Sequence, residues 1–510
     1  MAMTSKDSSS RSARRSERRT PLDVVIAVLL VAACVAVALG LASCKNPLEE
    51  DDPTLHMRVV NLVADAPTLR FLIDETAMST SAFEGVTEFH AARPGSHGVS
   101  LEALRPPELV DDDDDEDDDP IGLGELVSQT FNGDVDYTVF AYGELDDPHA
   151  FVMGTDDQRE AFDTDDHMVW RIVNAASNAQ AVDVYVTAPE AKITSPQRVA
   201  TLNLTEHSEA MELELFPRED RIDEDAALFV DLTIEIRAMG TSDVLFRSSA
   251  IRIVEQTRNL YAIVPNTGQG PASVKLMRVE TAATQHVDPR DSAEVRFIHV
   301  SHDSPPLDVI RAAAQRQTLA QNVAFRDRSD YVAVANGETD LIATPTADPS
   351  TFLFLEEFNA TAHQSYSVYA VGPVADVDGL IVTDFRRGSP TQARFRFLHA
   401  APSVDDEDAV DIYVTPPGQV IDFDEEDDDA DEDDDASNFR KFSGVLFPRT
   451  TDYLTLEAGD YEVHFVAAGT SRVLLDSAPF QVANGDVTTY VLHDSETGEL
   501  ELMPVDDALR

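Results

Sequence analysis

After the first fifty residues, apolar and polar positions alternate with a period of two in short runs, the pattern of half-buried β-strands. One phrase opens such a run four times: Arg58-Val59-Val60-Asn61, Arg171-Ile172-Val173-Asn174, Arg296-Phe297-Ile298-His299 and Arg396-Phe397-Leu398-His399. A turn rich in Ala, Ser, Asp and Pro follows each. A second alternating run comes next: Leu69-Arg70-Phe71-Leu72, Val182-Asp183-Val184-Tyr185, Leu307-Asp308-Val309-Ile310 or Val410-Asp411-Ile412-Tyr413. Two β-rich runs around a turn read as a strand pair. Near the end of each unit a further run begins at Tyr137, Tyr261, Tyr366 or Tyr490. In the last unit, Leu456 to Phe465 reads as strand, glycine turn at Gly459 and returning strand. Repetition at intervals near 100 residues, without a helical run of comparable strength, predicts an all-β chain of tandem Ig-like β-sandwich domains. The expected modules are 56–158, 168–283, 293–388 and 393–510.

The amino-terminal pattern is different. Six basic residues between Lys6 and Arg19 precede Val24–Leu41, 18 residues with no charged or strongly polar side chain. A basic start followed by an apolar run is the order of an export signal, with the basic end held in the cytoplasm. The run closes on Leu41-Ala42-Ser43-Cys44, which resembles the lipobox of bacterial lipoproteins at all four positions. That resemblance implies removal of residues 1–43 by cleavage between Ser43 and Cys44, with diacylglycerol on the Cys44 thiol and a further acyl chain such as palmitate on the new amino terminus. Several acyl chains, each contributing about 0.8 kcal/mol per buried CH₂, make a durable anchor. The alternative is an uncleaved signal anchor, because 18 apolar residues can just span a bilayer. Lys45 stands where lipoproteins retained at the inner membrane often carry Asp, so the resemblance implies the outer membrane. Residues 44–55 are polar and acidic, a short tether.

Charge narrows the partners. The 95 acidic residues outnumber the 38 basic ones, giving a formal net charge of -57, which would repel nucleic acid. Two tracts concentrate acid, 111–119 and 422–435, yet together they hold only 21 of the 95, so the excess is spread over the surface. Hard cations bind carboxylate oxygens, so weak divalent-cation collection is one expectation for the tracts, but consecutive acids lack the glycine turn of a calcium loop. A solvated loop within a module is the other. Of the two cysteines, Cys34 lies in the apolar leader, so Cys44 would remain alone and no internal disulfide would form.

The repeated phrases resemble DUF4397, a secreted bacterial domain of unknown function whose opening runs roughly Arg-Val-x-His-Ala-Ser-Pro-x-Ala-Pro-x-Val-Asp-Val-Tyr. Arg396 to Pro402 with Asp411 to Tyr413 match best, Arg296 to Asp308 is similar, and the first two units place Asn61 and Asn174 where the histidine would stand. His299 with Asp308, and His399 with Asp411, have the composition of acid-base pairs. Asn61, Asn174 and Arg70 replace those residues elsewhere, which favours a structural role. Trp170 reads as a core or interface anchor. No nucleophile elbow, phosphate loop, His-Glu-x-x-His or Cys-x-x-Cys is present, so no catalytic residue, metal ligand or cofactor is assigned. The expected function is that of a non-enzymatic, lipid-anchored envelope array whose loops hold a protein or glycan partner. The rivals are an envelope hydrolase with a site between modules and a calcium-dependent adhesin using the acidic tracts.

Overall fold

The computed structural model describes residues 54–106, 120–155, 167–189, 193–214, 229–254, 256–312, 316–404, 409–421 and 439–509. Among them no α-helix occurs, and the strands form eight sheets that pair into four sandwiches.

In the first sandwich one sheet runs His90–Ala92, Leu55–Val63, Asp136–Glu144, Asp147–Thr155, and the other runs Thr76–Ser81, Leu69–Ile73, Gly95–Ala103, Ile121–Phe131. The opening strand lies parallel to the tyrosine strand, with Arg58 opposite Thr138. The same parallel pair recurs in the other modules: His167–Asn174 with Arg258–Pro265, Ser292–His299 with Ser365–Val371, and Ala393–Ala400 with Val487–Asp494. Parallel neighbours need a long crossover, and here the second sheet supplies it.

Two sequence expectations are corrected. The opening run and the second run are not hydrogen-bonded to each other, because the Ala/Ser/Pro turn carries the chain from one sheet to the facing one. Likewise Leu454–Leu456 pairs with the opening strand of module 4, while Gly459–Ala467 joins the opposite sheet. In both places alternation marked strands correctly, but periodicity does not report which sheet a strand enters.

Each sandwich has its own core, and the opening strand shows why. Leu55, Met57, Val59 and Val63 point into the core of module 1, whereas Val60 and Leu62 point the other way and are buried too. The outward residues join Phe140 and Met153 against Val173, Ala262, Val264 and Met277 of module 2. Modules 3 and 4 repeat this: Ile298, Val300, Tyr369 and Val371 meet Leu398, Ala400, Val491 and Val505. The first sheets are therefore covered on both faces, which accounts for the near-continuous apolar runs at 59–63 and 395–401.

The modules do not extend in a line. Modules 1 and 2 form one pair, 3 and 4 another, and the second pair returns to the first: Arg105 of module 1 meets Glu457 of module 4 at 3.3 Å, and Arg387, in the linker before module 4, donates to the carbonyls of Ala64 and Ala66 at 3.2 and 2.7 Å.

Candidate functional site

The repeated Arg-x-x-Asn/His phrase places its two polar residues on opposite faces of the opening strand, since positions three apart point opposite ways. The Asn or His points inward at the end of the core, and all four are fully buried. Each accepts a hydrogen bond from the backbone N–H two residues on: Val63 to Asn61 Oδ1 at 3.1 Å, Ala176 to Asn174 Oδ1 at 3.2 Å, Ser301 to His299 Nδ1 at 3.3 Å and Ala401 to His399 Nδ1 at 3.4 Å. The opposite side of the side chain faces a carbonyl in three modules, Ser81 at 3.1 Å, Ala179 at 2.9 Å and Pro305 at 3.1 Å. His399 Nε2 has no partner among the described residues. Burial lowers the His299 pKa and pushes that of His399 down to about 4, so both act as neutral rings with the same acceptor-plus-donor layout as an asparagine amide.

The aspartates of the second run are held elsewhere. Asp308 Oδ1 accepts from Asn322 N and Thr346 Oγ1, both at 2.7 Å. Asp411 accepts from Gly444 N at 2.8 Å and Gly469 N at 3.3 Å, and Asp183 from Thr201 Oγ1 at 2.5 Å and Gly240 N at 2.9 Å. These carboxylates tie neighbouring turns to the second sheet. The structure thus does not bring together His299 with Asp308 or His399 with Asp411.

The arginine of the phrase points outward into the module interface. Arg296 donates from Nε to Ser367 Oγ at 2.8 Å and from Nη1 to the Asp506 carbonyl at 2.6 Å, and its Nη2 pairs with Asp507 of module 4. Arg396 does the reciprocal: Nε to Thr489 Oγ1 at 2.9 Å, Nη1 to the Thr383 carbonyl at 2.7 Å and Nη2 to Asp384 of module 3 at 2.5 Å. Ser367 and Thr489 in turn donate to Asp384 and Asp507 at 2.6 Å, and Tyr331 and Tyr453 donate to the same two carboxylates at 2.8 and 3.0 Å. Each guanidinium also lies over one of those rings, 4.7 Å from Tyr331 and 4.6 Å from Tyr453. Burial opposes the Arg296 charge, but Tyr369, Tyr331, Asp507 and Asp384 together raise its pKa above the ordinary value. Burial and the nearby Asp384 raise that of Asp507. The result is a two-way ionic clasp in which Nη1 and Nη2 of each arginine donate across the interface, while Nε, the hydroxyls and the tyrosines bind within their own module.

In modules 1 and 2 the arginines donate within their own modules, Arg171 Nη1 to the Ser208 carbonyl at 3.4 Å. Arg58 Nε donates to Thr138 Oγ1 at 3.1 Å, its guanidinium lies 4.4 Å from the Phe89 ring centre, and burial lowers its pKa to about 10 despite Asp136 and Glu280 nearby.

Comparison with known families is consistent with this repeated geometry. The profile described as Domain of unknown function (DUF4397) matches residues 55–185, 293–413 and 404–510. The chain belongs to the DUF4397 family. The matched segments include all four phrases with their arginines, while residues 186–292, most of the second module, lie outside them. No curated protein matches the chain. Among solved structures, the Bacillus anthracis TIE protein is similar at 9% identity over 88% of this chain and 69% of that one, with a TM-score of 0.15. A streptococcal ancillary pilin is similar at 10% identity over 64% and 98%, with a TM-score of 0.13. Likenesses of that size carry no argument about either fold or role.

The remaining sequence candidates are distributed as follows. Trp170 is buried in the core of the second module, packed among Met168, Ile172 and Tyr261. Leu41, Ala42, Ser43 and Cys44 lie outside the described residues, as do the acidic tracts 111–119 and 422–435. Among the described residues no group of three or more His, Cys, Asp or Glu side chains is gathered as a metal site, and no helix is long and apolar enough to cross a membrane. Sequence reasoning missed Asp384 and Asp507. Their flanking residues differ, but each follows its hydroxyl partner at a similar distance, 17 residues after Ser367 and 18 after Thr489, a spacing that could have paired them.

Proposed function

We propose that this DUF4397 chain is a lipid-anchored envelope protein whose paired sandwiches serve as a non-catalytic binding scaffold. The observation that carries the scaffold reading is the use of the family's polar residues: the Asn or His positions hold a turn, the second-run aspartates hold hairpins, and Arg296 and Arg396 join modules 3 and 4. Groups saturated by such contacts are not poised for proton transfer or nucleophilic attack. The Leu41-Ala42-Ser43-Cys44 sequence after an 18-residue apolar run supports the anchor, and Lys45 supports the outer membrane. Exposed loops on this rigid frame are the surface offered to an envelope protein or glycan.

The test is Cys44→Ser in the native host. The scaffold reading with its anchor predicts that the wild-type chain loses residues 1–43, incorporates labelled palmitate and partitions into detergent, and that the variant does none of these. Equal mass, labelling and partitioning in the two proteins would refute the anchor.

A further inference from the structure

A cleft of about 330 Å³ lies where modules 1, 2 and 3 meet the linker that precedes module 4. Its walls bring Lys275 from module 2, His363 from module 3 and Arg386 with Arg387 from the linker to one place, in a chain with far fewer bases than acids. The acids of the wall are already engaged. Glu84 binds Lys275 at 2.8 Å, Glu294 binds Arg386 at 2.5 Å, and Asp384 belongs to the clasp with Arg396.

Arg387 is left over in this accounting. Its hydrogen bonds go only to the neutral carbonyls of Ala64 and Ala66, and its guanidinium lies 4.6 Å from the Phe83 ring centre. Arg394, outside the cleft wall, also lacks a carboxylate partner: it sits 4.2 Å from the Phe385 ring, which Arg387 approaches at 5.8 Å, and donates to Gln392 when that amide turns its oxygen toward it. Neither has a carboxylate in ion-pair contact among the described residues. Burial lowers the pKa of both, to about 10 for Arg387, where Arg394 is the next largest cause and Glu84 and Asp65 act against it. Two partly desolvated guanidinium groups that repel each other are costly without a counter-anion.

His363 supplies an independent sign. Its ring is nine-tenths buried, Nε2 bonds the fully buried Asp291 at 2.7 Å, and Nδ1 has no partner among the described residues. Gly268 covers the ring so closely that a Cβ there would fall 2.3 Å from it, so only glycine can close this wall. Asp291 is fixed by Ala272 N at 3.0 Å and Asn266 Nδ2 at 3.1 Å, which holds the imidazole at the cleft.

We propose that this cleft binds a small oxyanion carrying two or more negative charges, held by Arg387 and bordered by Lys275 and His363. Guanidinium forks suit phosphate and carboxylate oxygens, and the volume is at the lower end for a small-molecule site. Diphosphate and citrate are the probes, titrated calorimetrically into the whole chain in phosphate-free buffer. One equivalent should bind, and Arg387→Gln and Lys275→Gln should each weaken binding about tenfold or more. Arg252→Gln, in an exposed pair with Asp231, should leave affinity unchanged. Because Arg387 also holds module 1, Lys275→Gln, which can still hydrogen-bond Glu84, keeps the test decisive if the first variant unfolds. Absence of heat at about 10 mM of both probes, or affinity unchanged in Lys275→Gln, or lost equally in Arg252→Gln, would overturn the proposal.

Discussion

Asn61, Asn174, His299 and His399 occupy one position four times over, and their interchange is explained by hydrogen-bonding layout rather than by acidity. An amide and a neutral imidazole both offer an acceptor beside a donor. The sequence already favoured this, since asparagine stood in two copies, but the partner, the N–H two residues on, was not legible because it depends on the turn leaving the strand. The difference between the two residue types should show in acid. The His399 pKa falls from the ordinary 6.5 to about 4 on folding, so the unfolded chain binds the extra proton between those values. The stability contributed by the neutral ring is therefore full above pH 6.5 and lost as pH falls toward 4, by about 3 kcal/mol. His399→Asn should fold at pH 7.5 and flatten the decline of melting temperature between pH 6.5 and 4, whereas His399→Ala should melt lower at every pH. An unchanged pH slope in His399→Asn would show that this ring does not titrate on unfolding.

At the scale of the strand, alternation predicted β-structure well but could not show that the opening strands are covered on both faces. A one-sided sandwich strand would leave Val60, Ile298 and Leu398 facing water. Their apolar character is the visible trace of a second module, and a strand reading apolar on both faces was the available signal. Leu398 is completely buried at the interface of modules 3 and 4. Leu398→Ala should cost about 2–5 kcal/mol, as for a core leucine, in denaturant titration of the whole chain. A cost near zero would mean that this face is solvated. The parallel pairing of opening and tyrosine strands was also hidden, because periodicity gives strand faces without giving neighbours.

At the scale of the molecule, repeats revealed the number of modules more readily than their arrangement. Contacts such as Arg105 with Glu457 join positions 352 residues apart, and no local pattern announces them. Cysteines placed at 105 and 457 in a Cys34→Ser, Cys44→Ser background should be joined by a short bismaleimide, and the closed loop should migrate anomalously on a denaturing gel. Failure to cross-link would separate module 1 from module 4. The clasp of modules 3 and 4 was half legible: the repeated arginine was evident, its aspartate was not. Because a buried ion pair costs desolvation on both sides, its value is in fixing the register of the two modules more than in net stability.

The central claim, that the phrase's arginine joins modules 3 and 4, is tested most directly by a double-mutant cycle on Arg296 and Asp507. Arg296→Met and Asp507→Leu should each destabilise the chain by about 3–5 kcal/mol, since each strands a buried charge. The double variant should cost less than their sum by at least about 2 kcal/mol. Strictly additive losses would contradict a clasp between these two residues.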